Sequence, residues 1–278
     1  MHIGVAQPPV FATGIDKTII RDFAQAVEDL GFHHYAFAEH VAGERGQFHE
    51  AFAHLGYLAG ITTSLELVTC MMLLPLRPAV LAAKQAAHID LVSGERLRLG
   101  VSVSHSPVEF QALGVDFATR GKRIEEQIEV MRRLWSEEIV HYEGRFHTIH
   151  AGIGPRPNRQ IPVWMGGGTQ EDQVPSERVA RRAARLADGF IPLSSLPAER
   201  APELVARLQD ACRAEGRDPA TLAIEGDITL QDKTPAEWAS ETQIWRDVGA
   251  THLMLRMRSK VPEQIEMLKQ YVAEVGLG

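Results

Sequence analysis

The sequence is poor in cysteine and lacks long apolar runs. Cys70 and Cys212 are the two cysteines among 278 residues, which excludes a disulfide-built scaffold and a cysteine-ligated zinc site. No stretch of about 18 uninterrupted apolar residues occurs, so we expect no membrane-spanning helix. The opening MHIGVAQPPV has neither the basic nor the apolar region of a secretory signal peptide. These absences together predict a cytoplasmic protein.

Strong charge of either sign is also missing. Lysine and arginine number 29 against 36 acidic residues, a net charge of −7 without any block of five like charges. Neither nucleic acid nor an anionic membrane surface is therefore an expected partner. Hydrophobic residues make up 45% and charged residues 23% of the chain, as in ordinary globular proteins. Because no tandem repeat, low-complexity stretch or linker is visible, we predict one domain over residues 1–278.

What the sequence does contain is a regular alternation of short apolar segments and helical stretches. Eight segments are typical of strands, and a helical stretch follows each of them: HIGVAQ, HYAFAEH, LELVTCMMLL, RLRLGVSVS, PVWMGG, GFIPL, LAIEGDITL and HLMLRM. Eight βα units of about 30 residues predict an α/β protein with a (β/α)8 TIM barrel. An open doubly wound sheet alternates in the same way, but the count of eight and the absence of an early G-x-G-x-x-G favour the barrel.

The alternation is interrupted once, after the helix that follows strand 4. EIVHYEGRFHTI alternates around Glu143 and Gly144 like a β-hairpin, and AGIGPRPNRQIP is a proline-rich loop. We therefore predict a hairpin and loop insertion over about residues 137–160.

Functional residues of such a barrel lie at the carboxyl ends of its strands. In this chain the predicted strand ends are Gln7, Glu39 with His40, Cys70 with Met71, residues 102–105, 166–168, 192–195 and 227–229, and Arg256.

Glu39 and His40 end the second predicted strand. Adjacent strand residues point to opposite sides, so one of the two side chains faces the barrel axis. A carboxylate beside an imidazole offers a general acid or base whose pKa can be tuned. The alternative is a solvated turn in which His40 makes an ordinary capping bond. His49 and His54 follow without H-E-x-x-H or similar ligand spacing, so we expect no metal site.

Three consecutive glycines end the fifth strand. Gly166, Gly167 and Gly168 follow IPVWM and lead towards a helix. Such glycines let backbone amides approach a phosphate near a helix N-terminus, but they are also typical of a flexible turn. The next helix has a basic stripe that we expect mostly to face solvent, with one arginine near enough to steer an anion: Arg178, Arg181, Arg182 and Arg185.

The end of the fourth strand carries small side chains. Ser102, Val103, Ser104 and His105 stand there, and Glu109 follows them. Small residues leave room for a flat ligand. The alternative is that the serines cap the short helix that contains Glu109.

The stretch LVTCMMLLPLRP contains a cysteine and two methionines near the end of the third strand. Methionine is a common filler of hydrophobic cores, and Met72 is assigned to the core. Cys70 and Met71 are either core residues as well or an apolar shelf beneath a ligand.

Six stretches in this order resemble the luciferase-like monooxygenase superfamily, in particular its coenzyme F420-dependent branch. They are FAEHV, VTCMMLLPLRPAVLAAKQAAHIDLVSGERLRLGV, VEFQALGVDFATRGKRIEEQIEVMRRLW, EGRFHTI, RPNRQIPVWMGGG and RRAARLADGFIPL. The resemblance covers residues 1–195 well and the remainder in pattern. It implies a (β/α)8 barrel with an insertion after strand 4, a flavin or deazaflavin lying across the strand ends, and a homodimer.

The resemblance also implies which residues surround that cofactor. Glu39 and His40 match the acidic residue and histidine that end strand two in F420-dependent members. The Cys70–Met71 bond matches a non-proline cis peptide behind the tricyclic ring. The remaining matched contacts are Ser102, Val103, Ser104 and His105 on strand four, and Gly166, Gly167 and Gly168 with the adjoining Thr169 around the cofactor phosphate.

This chain departs from the family pattern at two places. Many relatives have a glycine–tryptophan pair where this chain has Ser104 and His105. An extra segment, TQEDQVP at residues 169–175, separates the glycines from RRAAR. That segment either displaces the phosphate-binding helix or forms a lid.

The function implied by the resemblance is hydride transfer between coenzyme F420 and a small organic substrate. We expect His40 to transfer the accompanying proton, Glu39 to orient His40 or contact the cofactor, and Glu109 to be a second acid or base. Two alternatives remain open for the same fold. One is an FMNH2-dependent monooxygenase with FMN as cofactor, and the other is a non-catalytic flavin- or deazaflavin-binding protein.

Overall fold

Strands and helices alternate along the chain as the hydrophobic pattern predicts. The computed structural model describes residues 1–7, 16–42, 50–168, 173–192 and 196–277. The strands in these ranges are β1 His2–Ala6, β2 His34–Phe37, β3 Glu66–Thr69, β4 Met72–Leu73, β5 Leu97–Ser102, β6 Val140–Glu143, β7 Thr148–Ala151, β8 Val163–Gly167, β9 Gly189–Pro192, β10 Ala223–Thr229 and β11 His252–Arg256. The helices are α1 Lys17–Asp29, α2 Ala51–Ile61, α3 Ala79–Ser93, α4 Pro107–Ala112, α5 Arg120–Ser136, α6 Glu177–Leu186, α7 Ala201–Ala214, α8 Pro235–Asp247 and α9 Val261–Glu274.

The parallel strands close into a barrel, which confirms the predicted (β/α)8 architecture. The strands run in the order β3, β2, β1, β11, β10, β9, β8, β5 and β4, and a further pairing of β3 with β5 closes the ring. The stretch LELVTCMMLL was expected to form one strand, and the structure corrects this. It forms two short strands, β3 before and β4 after the Cys70–Met71 pair, and both are bonded to β5. The two short strands share one position in the barrel, so the barrel has eight strand positions.

The predicted hairpin is present between α5 and β8. Strands β6 and β7 pair antiparallel, with Val140 opposite Ala151 and Glu143 opposite Thr148. They form a separate two-stranded sheet outside the barrel, within the predicted insertion.

Local signals in the sequence set several helix boundaries. The side chain of Asp16 accepts a hydrogen bond from the backbone N–H of Thr18 at the start of α1. Thr234 and Glu237 form a reciprocal capping box at α8. Gly94 ends α3 with a φ of 75°, a left-handed conformation that glycine adopts without steric cost.

Most of the hydrophobic core lies between the barrel and its surrounding helices. Apolar residues spaced three or four apart in the sequence predict one buried stripe along α5, and these residues are buried there: Ile124, Ile128, Met131 and Trp135. Burying one such large side chain contributes about 1.5–3 kcal/mol, so this stripe fixes α5 against the barrel. Among the described residues, no helix is both long and apolar enough to cross a bilayer.

The barrel interior is apolar in its middle and charged towards both ends. A small cluster fills the middle: Ala6, Ala36, Val68, Trp164, Ile191 and Met254. Along β10, Glu225 points inward towards the amino-terminal end and pairs with Arg98 at 3.0 Å. Two residues later Asp227 pairs with Arg256 near the carboxyl end. Burial alone would raise the pKa of Glu225, but Arg98 and His34 hold it far below its usual value.

Candidate active site

His40 and Glu109 meet at the carboxyl-end rim of the barrel. His40 follows β2, and Glu109 lies in the first turn of the short helix α4 after β5. The Nδ1 atom of His40 is 3.2 Å from Oε1 of Glu109. The Glu109 side chain is buried, whereas that of His40 is 31% exposed. A buried carboxylate thus holds an imidazole that solvent or a ligand can reach, the arrangement of a general acid or base.

Further donors fix the Glu109 carboxylate. Its Oε1 accepts the backbone N–H of Val41 at 2.9 Å, and its Oε2 accepts the hydroxyl of Ser104 at 3.0 Å. Because the carboxylate bridges the ends of β2 and β5, its position depends on the barrel and not on α4 alone.

The end of β5 places a second histidine opposite the first. Ser104 has a φ of 60°, and the next residue, His105, is exposed. The rings of His40 and His105 are 6.2 Å apart and nearly perpendicular. Ser102 and Val103 are half-buried beside them. The structure therefore brings the predicted residues of strand four to the same rim as His40.

Glu39 has a different environment from the one we expected. Its buried carboxylate accepts the guanidinium of Arg77 on both oxygens, the backbone N–H of Ala51 at 3.0 Å and that of Leu73 at 3.1 Å. The carboxylate found beside Nδ1 of His40 is that of Glu109, because adjacent residues at the end of an extended strand point to opposite sides. The roles expected for Glu39, orienting His40 or contacting the cofactor, stay predictions.

The Cys70–Met71 peptide bond is cis, as the family resemblance implied. Both residues are half-buried, while Met72 is fully buried as predicted. The Sγ atom of Cys70 accepts a hydrogen bond of 3.5 Å from Arg256. Burial raises the pKa of the Cys70 thiol, so the sulfur is an uncharged part of this surface at neutral pH.

Beneath Cys70 lies an ion pair that sequence reasoning did not predict. Arg256 on β11 donates to the buried carboxylate of Asp227 on β10. Burial raises the pKa of Asp227 to about 6, although Arg256 opposes the rise. Both residues were recognised as strand ends, but nothing in the sequence indicated that they pair beneath the third strand.

Two of the three glycines at the end of β8 lie against other side chains of the protein. A Cβ atom on Gly166 would overlap the far end of the flexible Met71 side chain, which can move, whereas one on Gly167 would lie 2.6 Å from the short Val179 side chain on α6. Gly168 has a φ of 135°, a conformation that favours glycine. Thr169 and most of the extra segment at residues 169–175 lie outside the described residues. The role of this region in phosphate binding stays a prediction.

A cationic groove lies between α5 and α6, just after this glycine-rich end. Its cavity of about 680 Å³ is lined by Lys122, Arg178, Arg181, Arg182 and Arg185, among others. Arg182 is buried against Glu125, and Arg181 pairs with Glu215, so the predicted basic stripe is divided. Burial lowers the pKa of Arg120, and the nearby Arg178 and Arg182 lower it further. Cationic side chains outnumber the lining carboxylates Glu125 and Glu177 five to two, an excess of positive charge that suits an anion such as a phosphate.

These features together fit a planar, anionic cofactor. Cys70, Met71 and Val103 provide a partly exposed apolar surface, and His40 and His105 provide polar groups at its edge. The cationic groove provides charge for a phosphate. A flavin or a deazaflavin has both a flat ring system and a phosphate, so the residues present are compatible with either.

Solved structures of the same architecture cover nearly the whole chain. A monooxygenase from Streptomyces bottropensis, RslO1, superposes with a TM-score of 0.82 at 21% identity, covering 99% of this chain and 98% of that one. An F420-dependent secondary alcohol dehydrogenase in complex with an F420–acetone adduct gives a TM-score of 0.81 at 17% identity, with the same coverage. At these identities the likeness supports the fold.

Three relatives illustrate the range of similar sequences. An uncharacterized protein of Mycobacterium tuberculosis is 37% identical over 145 residues, 52% of this chain and 48% of that protein. An F420-dependent glucose-6-phosphate dehydrogenase of Kineococcus radiotolerans is 28% identical over 264 residues, 90% and 74% of the two chains. An FMNH2-dependent dimethylsulfone monooxygenase of Pseudomonas fluorescens is 32% identical over 185 residues, 64% and 48%.

The chain spans about half the length of the Mycobacterium and Pseudomonas relatives. Over its own length the match is nearly complete, because the family model described as luciferase-like monooxygenase matches residues 1–270. The chain belongs to the luciferase-like monooxygenase family.

Proposed function

We propose that this chain is an F420-dependent oxidoreductase that interconverts an alcohol and the corresponding carbonyl compound. The observation that carries the proposal is the contact of 3.2 Å between His40 and the buried Glu109 at the barrel rim. Hydride removal from an alcohol carbon requires that the hydroxyl proton leave to a base. An imidazole held by a carboxylate meets that requirement. The Kineococcus relative, an F420-dependent dehydrogenase, supports the same reaction class.

A deazaflavin bound here would supply the hydride acceptor or donor, and the residues of this chain would move the proton. In the direction of alcohol oxidation, Nε2 of His40 takes the hydroxyl proton while the C–H hydrogen leaves with its electron pair. In reduction the same atom returns a proton to the carbonyl oxygen. Glu109 favours the proton on Nδ1 and stabilises the imidazolium that forms. Cys70, Met71 and Val103 would exclude water from one side of its ring, and the cationic groove would hold its phosphate.

In this scheme Glu39 is a positioning residue. Its ion pair with Arg77 holds the end of β2, from which His40 projects. The homodimer remains a prediction from the family resemblance, and the cytoplasmic location remains a prediction from the composition of the sequence.

The second candidate is a monooxygenase that uses FMNH2 and O2. The Pseudomonas relative, whose cofactor is FMNH2, supports this candidate. The His40–Glu109 pair favours the first, because hydride exchange with a hydroxyl group has a direct use for a proton acceptor at the rim.

Titration of the purified chain with F420 and with FMN separates the cofactors. Saturable F420 binding without an FMN response is expected, and the reverse result would favour the monooxygenase. Saturable cofactor binding without turnover on a broad panel of alcohols and carbonyl compounds would favour the non-catalytic binding protein.

Substitution of the proton-transfer pair tests the mechanism. We expect His40→Ala to lower kcat/KM with F420 by about 10²–10⁴-fold, the usual contribution of one general acid or base. Glu109→Gln is expected to lower it and to change the pH profile, because the imidazolium loses its counter-charge. His150→Ala is the matched control, since His150 lies on the exposed hairpin. Unchanged turnover in His40→Ala would show that the assignment is wrong.

A further inference from the structure

Four histidines gather at the amino-terminal end of the barrel, opposite the candidate active site. The ring of His2 on β1 is 3.9 Å from that of His33 and 5.0 Å from that of His252 on β11. His34, the first residue of β2, lies 5.8 Å from both His33 and His252. Glu66, the first residue of β3, completes the group. One ligand atom each from His33, His34 and Glu66 lie within 4.8 Å of one another.

The ring nitrogens of His34 are unsatisfied in this cluster. The side chain is fully buried, and neither Nδ1 nor Nε2 makes a hydrogen bond of good geometry. The Nε2 atom nevertheless lies 2.6 Å from Oε1 of Glu225, close enough for a small ring rotation to pair them. Histidines that bind metals generally donate their second ring N–H to a carboxylate, which fixes the ring and makes the ligating nitrogen more basic. Leaving the nitrogens of a buried imidazole unpaired is costly, and a metal ion on one of them, with Glu225 on the other, would satisfy both.

The charge of the surrounding groups also suits a cation. Arg98 is the nearby positive group, and it is bonded to Glu66 at 2.9 Å and to Glu225 at 3.0 Å. With neutral imidazoles, the form in which histidine ligates metals, two carboxylates stand against one guanidinium. The net charge of the cluster is −1, so a divalent ion enters an attractive field.

We propose that His33, His34 and Glu66 bind a divalent transition-metal ion at the amino-terminal end of the barrel. Two imidazoles and one carboxylate suit Zn²⁺, Ni²⁺ or Cu²⁺ and not the oxygen-binding Ca²⁺ or Mg²⁺. A tetrahedral ion with bonds of about 2 Å needs ligand atoms about 3.3 Å apart. Nδ1 of His33 and Oε2 of Glu66 are 3.8 Å apart, and the three ligand atoms lie within 4.8 Å of one another. Closing the site needs side-chain adjustments of about 1 Å, with the Glu66 carboxylate shared between the ion and Arg98. The ion would connect the amino-terminal ends of β2 and β3.

This site is independent of the proposed reaction, because it lies at the other end of the barrel. Sequence spacing could not indicate it, since its ligands come from the starts of different strands. The absence of an H-E-x-x-H spacing, from which we expected no metal site, excludes a helical metal motif but not a site built from strands.

The test is metal binding to the purified chain after removal of bound metals with a chelator. Calorimetric titration with Zn²⁺, Ni²⁺ and Cu²⁺ should give one tight site per chain, with Ca²⁺ as the negative control. Co²⁺ should give visible absorption bands typical of nitrogen and oxygen ligands. The melting temperature should rise on addition of Zn²⁺, because the ion binds the folded state.

Two variants and one control decide whether the ion lies where we propose. His33→Asn and Glu66→Gln should each weaken binding by about 10-fold or more. Both side chains are partly exposed, and a melting curve verifies that each variant folds. The control is the double variant His141→Asn with His150→Asn, because those two Nδ1 atoms face each other at 2.7 Å on the exposed hairpin. Absence of a saturable site in the unmodified chain would overturn the proposal. So would affinity that survives in His33→Asn and Glu66→Gln or is lost in the hairpin control.

Discussion

Ser104 holds a backbone conformation that serine rarely adopts. Its φ of 60° costs about 1–2 kcal/mol for a residue with a side chain. The hydroxyl offsets part of that cost, since it donates to Glu109 at 3.0 Å and accepts the N–H of Ser106 at 3.1 Å. The strain in the Ser104 backbone is therefore offset in part by its hydrogen bond to Glu109, the carboxylate that contacts His40.

A pair of variants separates these two effects of Ser104. Ser104→Ala and Ser104→Gly both lose the hydroxyl, but alanine keeps the strained conformation. We expect the glycine variant to be more stable than the alanine variant by about 1 kcal/mol, measured by urea denaturation. Turnover should fall in both, because Glu109 loses a donor. Equal stability of the two variants would mean that the backbone at this position is not strained.

At the scale of elements, Glu39 joins three parts of the barrel rim. Its carboxylate follows β2, accepts the N–H of Ala51 at the start of α2 and that of Leu73 in β4, and pairs with Arg77. Breaking a buried ion pair costs about 3–5 kcal/mol. We expect Glu39→Gln to cost somewhat less, about 2–3 kcal/mol, because an amide oxygen still accepts hydrogen bonds.

Glu50 provides the control for that prediction, because it pairs with the same Arg77 at 2.9 Å from an exposed position. Glu50→Gln should cost less than about 1 kcal/mol. Denaturation curves of the two variants give the comparison. If Glu39→Gln is as stable as Glu50→Gln but has lost turnover, Glu39 acts in the chemistry and not as a positioning residue.

The order and type of the elements could be predicted because hydrophobic periodicity is a local property. The stripe on α5 and the β6–β7 hairpin were predictable for this reason. The division of the third strand into β3 and β4 was not, since LELVTCMMLL is a continuous apolar run. From the residues alone, the partner of His40 was also out of reach. Glu109 is 69 residues away, and an adjacent carboxylate, Glu39, was the simpler expectation.

The charged layer at the amino-terminal end of the barrel interior, formed by Glu66, Arg98 and Glu225, was even harder to predict from the sequence. In the sequence Glu66, Arg98 and Glu225 are isolated charges in strand patterns. Arg98 and Glu225 are separated by 127 residues. They meet because barrel closure sets one register for all the strands. Only the partners of a buried charge determine whether it can be tolerated, and the sequence does not give those partners.

At the scale of the whole molecule, the histidines beside this charged layer make the free energy of unfolding depend on pH. Burial lowers the pKa of His33 to about 4 and that of His252 to about 2. The titratable or charged neighbours of these two histidines are His2, His34, Glu66, Arg98 and Glu225. In the unfolded chain both histidines titrate near 6.5, so the unfolded state binds two protons that the folded state does not. Stability is therefore lost as the pH falls below about 6.5.

Asp227 acts in the opposite direction. Because burial raises its pKa from 3.8 to about 6, the folded state binds one proton that the unfolded state releases, and this contribution to stability is lost as the pH rises through 6. Between about pH 6 and 5 the unfolded state therefore binds one proton more than the folded state. The free energy of unfolding then changes by at most about 1.4 kcal/mol per pH unit. The slope should be smaller than this limit, since the His33 side chain is 38% exposed and partly solvated.

We therefore expect the free energy of unfolding, measured with a chelator present, to decrease steadily from pH 6.5 to 5. Carboxylates with lowered pKa values, such as Glu126, add to the loss only near and below their unfolded pKa of 4.5, so this window reports the two histidines and the opposing Asp227. His33→Asn should flatten the slope, because it removes one of the two protons that favour unfolding. A slope that is unchanged in His33→Asn would assign the pH dependence to other groups. A free energy that rises on acidification would mean that Asp227 outweighs both histidines.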